Sequence, residues 1–175
     1  CQKSPRSANL LLRISVFSEN VEEFFGFRML NDIDSGEFDN VFNGLGGATA
    51  LFDSTHTSID ATLTYGRQLT NQGISCNAII FIITDGMDNV SRFNAQEVKK
   101  LIAQTRKNEE VESVLTVLVG ITEENQDINT YLETFKSESD LDQYVDIGSA
   151  DSSTLAKLAD FISRSVSSQS QSLGS

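Results

Sequence analysis

The distribution of apolar and polar residues along the chain predicts alternating strands and helices. Residues 78–83 are all apolar and carry no charge, which is typical of a strand buried on both faces of a parallel sheet. A buried helix is the competing interpretation, but the β-branched isoleucines and the polar stop at Thr84 favour the strand. Residues 114–119 (VLTVLV) predict a second buried strand, and residues 143–147 form a shorter predicted strand.

Between and after these strands, the apolar residues recur at helical spacing. The first predicted helix opens near Thr49 and extends to about Leu69. The second starts at a capping box formed by Asn94 and Glu97, and the last follows Asp151 as its cap. The residues expected to face the core are Phe52, Ile59, Leu63, Val98, Leu101, Ile102, Ile128, Tyr131, Leu132, Phe135, Leu155, Leu158, Ala159, Ile162 and Val166.

The first part of the chain predicts a hairpin and a long loop. Residues 10–17 form a strand, a tight turn follows, and residues 21–27 are short enough to be an antiparallel edge strand. Residues 31–47 are rich in Asp, Asn and Gly and predict a loop with one turn of helix near residues 38–42. The hairpin therefore belongs at the edge of a sheet.

The order of these elements predicts one α/β domain over residues 1–166. Strand and helix alternate from Thr49 onwards, which is typical of a Rossmann-like, doubly wound fold. We expect a mostly parallel sheet with one antiparallel edge strand and helices on both faces. Residues 167–175 are rich in Ser and Gln and predict a frayed tail or linker.

The charge balance narrows the kinds of partner. The chain has 13 basic and 25 acidic residues, a formal net charge of −12, so it lacks the clustered Lys and Arg that bind nucleic acid. The same balance disfavours anionic membrane surfaces, and no apolar run is long enough for membrane insertion. Cys1 and Cys76 make no disulfide framework and favour a reducing compartment such as the cytoplasm. Cations and other proteins stay open as partners.

The polar stop after residues 78–83 contains the first candidate for chemistry. Asp85 follows the strand at its carboxyl end, and ligands of open α/β sheets bind in the crevice beyond such ends. A second glycine-rich segment, residues 46–49, opens the first helix. Each segment also fits an ordinary structural role, Asp85 in a polar turn and Thr49 as a helix N-cap.

The two segments together resemble the von Willebrand factor A domain family, through residues 46–51 (GGATAL) and residues 79–89 (IIFIITDGMDN). The order of the predicted elements agrees over nearly the whole chain. The resemblance implies a metal-ion-dependent adhesion site in which Thr49 and Asp85 help to hold Mg²⁺, or alternatively Ca²⁺ or Mn²⁺. It also implies that an acidic side chain of a partner protein completes the coordination. The expected rim of this site consists of Gly47, Gly86, Asp88 and Asn89.

One motif of that family is missing from the chain. The family carries Asp-x-Ser-x-Ser after its first strand, whereas Leu10 is preceded by a polar stretch without an aspartate. By resemblance, the cation would lack most of its ligands and the sheet would lack a central strand, so we expect the natural protein to continue upstream of Cys1. Residues 53–57 fit a relaxed form of the motif, but they lie inside a predicted helix and are interpreted as a coincidence.

Two other classes of function stay open. A related domain whose metal site has degenerated would act as a scaffold and bind partners through surface loops. A hydrolase is the other: Asp32 and Asp34 are spaced like the paired aspartates of haloacid-dehalogenase-type phosphatases, but their loop-like surroundings argue against it. His56 is the only histidine, no Gly-x-Ser-x-Gly elbow occurs, and residues 44–49 match a dinucleotide-binding loop weakly. The sequence therefore predicts a binding domain rather than an enzyme.

Overall fold

A computed structural model describes residues 9–40, 46–107 and 111–172. The strands are β1 (Leu11–Phe17), β2 (Val21–Met29), β3 (Asn77–Thr84), β4 (Ser113–Gly120) and β5 (Gln143–Asp146). The helices are α1 (Leu51–Thr70), α2 (Ala95–Thr105), α3 (Gln126–Ser139) and α4 (Ser152–Ser172). Short 3-10 helices follow β2 at Leu30–Asp32 and Ser35–Asn40. Each predicted strand and helix is present, and the part of the predicted turn near 38–42 that falls on residues 41–42 lies outside the described residues.

The strands form two sheets rather than one. β3, β4 and β5 make a parallel sheet in that order, and β1 and β2 make an antiparallel pair. The predicted α/β class is therefore confirmed. The finer expectation, a doubly wound, mostly parallel sheet with one antiparallel edge strand, is not confirmed, because the described strands form two separate sheets.

Alternate residues of β3 pack into two separate clusters, as expected for side chains that point to opposite faces of a strand. Ile80 and Ile82 pack with α1, α2 and α3, whereas Ile79 and Phe81 pack with Leu158 of α4. The core residues predicted for α1, α2 and α3 all belong to the first cluster: Phe52, Ile59, Leu63, Val98, Leu101, Ile102, Ile128, Tyr131, Leu132 and Phe135.

α1 also packs against both strands of the hairpin. The ring of Tyr65 stacks on Phe27 of β2, with 4.4 Å between the ring centroids. Phe17 of β1 packs against the first core cluster, and the backbone N–H of Ala50 donates to the carbonyl oxygen of Ser18 at 2.8 Å. One helix therefore holds the antiparallel pair beside the parallel sheet.

The two helix caps predicted from side chains are confirmed. Asn94 accepts the backbone N–H of Glu97, and the Glu97 carboxylate accepts the N–H of Asn94, which completes the capping box of α2. Asp151 accepts the N–H of Thr154 at 3.0 Å at the start of α4. Hydrogen bonds from the Ser149 hydroxyl and from Thr154 lower the pKa of Asp151 to about 2, because they stabilise the charged form.

α4 is longer than predicted. It continues to Ser172, whereas the sequence predicted a frayed tail over residues 167–175, of which residues 173–175 lie outside the described part. Helical bonding is compatible with residues 167–172 because they contain neither Gly nor Pro, and Gln is a good helix former. Among the described residues, neither α4 nor any other helix has the length and hydropathy needed to cross a bilayer.

The buried face of α4 is rotated relative to the prediction. Leu158 is buried and packs with Phe161 and Ile162, which share its i, i+3, i+4 face. Leu155 and Ala159 were expected in the core but are exposed. The aromatic ring of Phe161, which contacts Phe81 edge-on, replaces them against β3.

Candidate functional site

The two segments singled out in the sequence lie against each other in the fold. The backbone N–H of Thr49 donates to Oδ1 of Asn89 at 2.9 Å, and the N–H of Asn89 donates back to the carbonyl oxygen of Thr49 at 3.1 Å. A Cβ atom built on Gly86 would lie 3.1 Å from Oγ1 of Thr49. A larger residue after Asp85 would therefore need the Thr49 hydroxyl to shift by a few tenths of an ångström.

The loop of residues 85–91 also caps α1. The N-cap residue Ala50 has no side chain that could accept a hydrogen bond. The loop provides the acceptors instead, since Phe52 N–H donates to Oδ2 of Asp88 and Asp53 N–H donates to Oγ of Ser91, each at 3.0 Å. The Ser91 hydroxyl in turn donates to the Asp88 carboxylate. A helix end left without acceptors is costly, so this pairing fixes the loop.

α1 also accepts hydrogen bonds from the residues that follow this loop. Oδ1 of Asp53 accepts the backbone N–H groups of Arg92 and Phe93, each at 2.9 Å. The ring of His56 stacks on Phe93, with 3.8 Å between centroids. Residues 53–57 therefore lie inside α1, as predicted, and His56 is half-buried against an aromatic ring.

Tyr131 of α3 completes the support of the loop. Burial raises the pKa of its phenol, and the nearby Asp88 carboxylate raises it further, while a hydrogen bond with the Asp88 backbone acts in the opposite direction. Asp88 is thus held from two sides, by the N-terminus of α1 and by α3. The sequence placed Asp88 and Asn89 on a partner-binding rim, and the fold shows both of them in hydrogen bonds within the chain.

In this loop a charged side chain is half-buried while two apolar side chains are exposed. Asp88 is half-buried in hydrogen bonds, whereas the apolar Met87 and Val90 are 44% and 41% exposed. Asp85 is also exposed, and so is Gly47, whose φ of +88° is a conformation that favours glycine. Asp85 therefore keeps its carboxylate at the surface of the site.

The neighbouring strand ends contribute further acidic groups. The Thr122 hydroxyl donates to the carboxylate of Asp146 at 3.0 Å, which ties the end of β4 to the end of β5. A cavity of about 420 Å³ opens beside them, lined by Glu123, Glu124, Ile147, Gly148 and Ser149. No sequence motif identified these residues, although each follows a parallel strand as Asp85 does.

The described residues supply only some of the ligands that a metal ion needs. Thr49 and Asp85 offer one hydroxyl and one carboxylate, which are the hard oxygen donors that Mg²⁺ prefers. Among the described residues, no three His, Cys, Asp or Glu side chains come together as a metal-binding group. Asp88 is occupied at the N-terminus of α1. A cation here would need water or groups beyond the described residues for its other positions.

Three residues support the site in a way that the sequence did not predict: Ser91 in the loop, Asp53 on α1 and Tyr131 on α3. Asp88 and Ser91 have the spacing of a polar turn, which is a local signal, but their partners on α1 lie far away in sequence. Comparison of the chain with protein-family models and with curated proteins gave no match.

Proposed function

We propose that this chain is a protein-binding domain of the von Willebrand factor A type, with a Rossmann-like, doubly wound fold. It recognises a partner protein at the carboxyl edge of the parallel sheet, where Thr49 and Asp85 contribute ligands to a divalent-cation site. When bound, the cation provides an open position for a carboxylate of the partner. The proposal is a binding function and assigns no catalytic residue.

One observation carries the proposal most directly. The segment before α1 and the segment after β3 are far apart in sequence. Even so, the N–H of Thr49 donates to the side-chain oxygen of Asn89, the N–H of Asn89 donates to the carbonyl oxygen of Thr49, and the Thr49 hydroxyl lies 3.1 Å from a Cβ built on Gly86. The exposed Asp85 directly precedes that glycine. The two side chains that the family resemblance pairs are thus on adjoining segments at the edge where α/β sheets bind ligands.

The same geometry favours a second candidate, a metal-free scaffold. Asp88 and Asn89 satisfy α1 and the loop backbone, so the loop keeps its shape without a cation. The exposed Met87 and Val90 then offer an apolar contact to a partner.

Mg²⁺ and Mn²⁺ binding separates the two candidates. We expect the wild-type chain to bind Mn²⁺, measured by electron paramagnetic resonance, and to release it to excess Mg²⁺. Asp85→Asn and Thr49→Val should each weaken the affinity by roughly tenfold or more, because each removes an oxygen ligand. Asp60→Asn, a change at an exposed residue of α1, serves as the control and should leave the affinity unchanged. Equal affinities for all four proteins would contradict the metal site and leave the scaffold as the proposed function.

A further inference from the structure

The exposed Asp85 is not held in place by a hydrogen bond of its own. Among the described residues, none donates to its carboxylate, and Asp85 opens the connection of residues 85–94 between β3 and α2. The nearest local bond joins the N–H of Gly86 to the hydroxyl oxygen of Thr84 at 3.2 Å. The position of Asp85 beside Thr49 therefore depends on what holds the rest of this connection.

Asp53, in the first turn of α1, holds the far end of that connection. Its backbone N–H donates to Oγ of Ser91 at 3.0 Å, and its Oδ1 accepts the N–H groups of Arg92 and Phe93 at 2.9 Å each. Both of these N–H groups precede α2, so they have no carbonyl partner within that helix. A backbone N–H without an acceptor is costly, and Asp53 therefore ties residues 91–93 to α1.

Thr49 is attached to the same connection from the other side of the helix start. It lies just before α1, and it exchanges hydrogen bonds with Asn89. Thr49 and Asp53 thus hold the connection at two points, one near its middle and one near its end. A shift at either point changes the distance between the Thr49 hydroxyl and the Asp85 carboxylate.

We propose that Asp53 is a positioning residue of the cation site, an inference that rests on the proposed function. Mg²⁺ demands near-ideal octahedral geometry, so a small displacement of Asp85 relative to Thr49 lowers the affinity. Asp53 is half-buried, and its Oδ1 already accepts two N–H groups. Within the described ranges, no three His, Cys, Asp or Glu side chains form a metal-binding group. Asp53 therefore acts on the cation through the position of Asp85 and not as a ligand.

The affinity for Mn²⁺, measured by electron paramagnetic resonance, tests this role. Asp53→Ala should weaken it by roughly tenfold, the usual effect of removing a group that orients a metal ligand. Asp53→Asn should retain most of the affinity, because the amide oxygen can accept the same two N–H groups. A general effect of charge would instead weaken both variants.

Asp151→Ala is the matched control for the loss of a capping carboxylate. Asp151 also accepts two backbone N–H groups, those of Ser153 and Thr154, but it does so at the start of α4. Its removal should destabilise the chain in a similar way and leave the Mn²⁺ affinity unchanged. The comparison separates the position of Asp85 from the stability of the fold.

A double variant shows whether Asp53 acts through Asp85. In the Asp85→Asn background, Asp53→Ala should cause no further loss of Mn²⁺ affinity, because the ligand that Asp53 positions is already gone. If circular dichroism shows that Asp53→Ala is unfolded, Ser91→Ala tests the same attachment with a smaller change. Ser91→Thr, which keeps a hydroxyl acceptor for the N–H of Asp53, is then the conservative variant.

The inference is overturned if folded Asp53→Ala binds Mn²⁺ as tightly as the wild type. It is also overturned if Asp151→Ala weakens binding equally, or if the losses in Asp53→Ala and Asp85→Asn add in the double variant. A wild-type chain that binds no Mn²⁺ contradicts the proposed function itself, and the role of Asp53 with it. The failure of the positioning role alone is thus distinguishable from the failure of the cation site.

Discussion

Gly120 lies at the end of β4, where Tyr144 and Leu132 pack closely against it. A Cβ atom at this position would lie 2.7 Å from the hydroxyl oxygen of Tyr144 and 2.8 Å from Cδ1 of Leu132. Tyr144 cannot easily move away, because its hydroxyl donates to Oδ1 of Asn129 at 2.8 Å. Burial, reinforced by Asp146, raises the pKa of Tyr144 to about 12, which keeps the hydroxyl protonated as a donor.

Gly120→Ala should therefore lower the free energy of unfolding by about 1–3 kcal/mol, the usual cost of overpacking, as measured by urea denaturation. Gly26→Ala in β2 is the matched control, because the nearest atom to its Cβ would be the flexible Glu23 carboxylate at 3.5 Å. A loss of stability as large in Gly26→Ala as in Gly120→Ala would show that the contact with Tyr144 is not responsible.

The roles of individual site residues were predictable only where the signal is local. Asn94 and Glu97 are three residues apart, and their capping box follows from that spacing. Asp88 has the same acceptor chemistry, but the N–H that it satisfies belongs to Phe52, 36 residues earlier in the chain. Because no sequence spacing encodes that encounter, the sequence did not predict that Asp88 accepts a hydrogen bond from the N-terminus of α1.

At the scale of elements, the N-terminus of α1 depends on a loop that belongs to β3. The cap of α2 is made by its own first residues, whereas Phe52 and Asp53 of α1 donate to Asp88 and Ser91. The stability of α1 and the shape of the candidate site are therefore linked through these two hydrogen bonds.

Asp88→Ala should lower the free energy of unfolding by about 0.5–2 kcal/mol, because the N–H of Phe52 loses its acceptor. Hydrogen exchange should become faster both at the first turn of α1 and in residues 85–91. Asn94→Ala at the local cap of α2 is the comparison: a similar loss of stability is expected, with faster exchange confined to α2. If Asp88→Ala accelerates exchange in the loop alone, its carboxylate does not cap the helix.

Elements were predicted well because their signals repeat within a few residues. The apolar spacing of α1, α2 and α3 identified the faces that pack in the core. α4 is the exception, because it offers apolar residues on more than one side and Phe161 decides which side is buried. The sequence pattern does not determine which of two apolar faces of a helix is buried. The tertiary contacts determine it.

At the scale of the whole molecule, α1 connects two sheets that share no hydrogen-bond ladder within the described residues. The stack of Tyr65 on Phe27, with 18° between the ring planes, is one of the contacts that hold the hairpin to the helix. The parallel sheet has its own large core on the same helix, formed around Ile59 and Leu63.

Tyr65→Ala should therefore release the hairpin selectively. We expect faster hydrogen exchange in β1 and β2 with little change in β3 and β4, since an aromatic pair contributes about 0.5–1.5 kcal/mol beyond its buried area. Gln68→Ala, at an exposed position of the same helix, is the control and should change neither sheet. Equal acceleration in both sheets would mean that they unfold as one cooperative unit.

The α/β class was predictable because the apolar strands β3 and β4 are buried on both faces, as parallel strands are. The division into two sheets was not. Whether β1 pairs with β3 depends on which strand lies between them, and that is a property of the assembled chain rather than of either segment. The expectation that residues upstream of Cys1 supply such a strand stays a prediction.

The capping of α1 by a distant loop also sets the order in which the chain becomes native. Asp88 and Ser91 follow their partners by 36 and 38 residues, so a nascent chain leaves the ribosome with α1 complete and its caps not yet made. Before these caps form, the first turn of α1 is stabilised only by its own helix propensity, or it stays frayed. Closing so long a loop is entropically unfavourable until β3 has docked. The first turn of α1 and the loop beyond β3 should therefore fold late and simultaneously, and slow refolding phases should carry the signal of both.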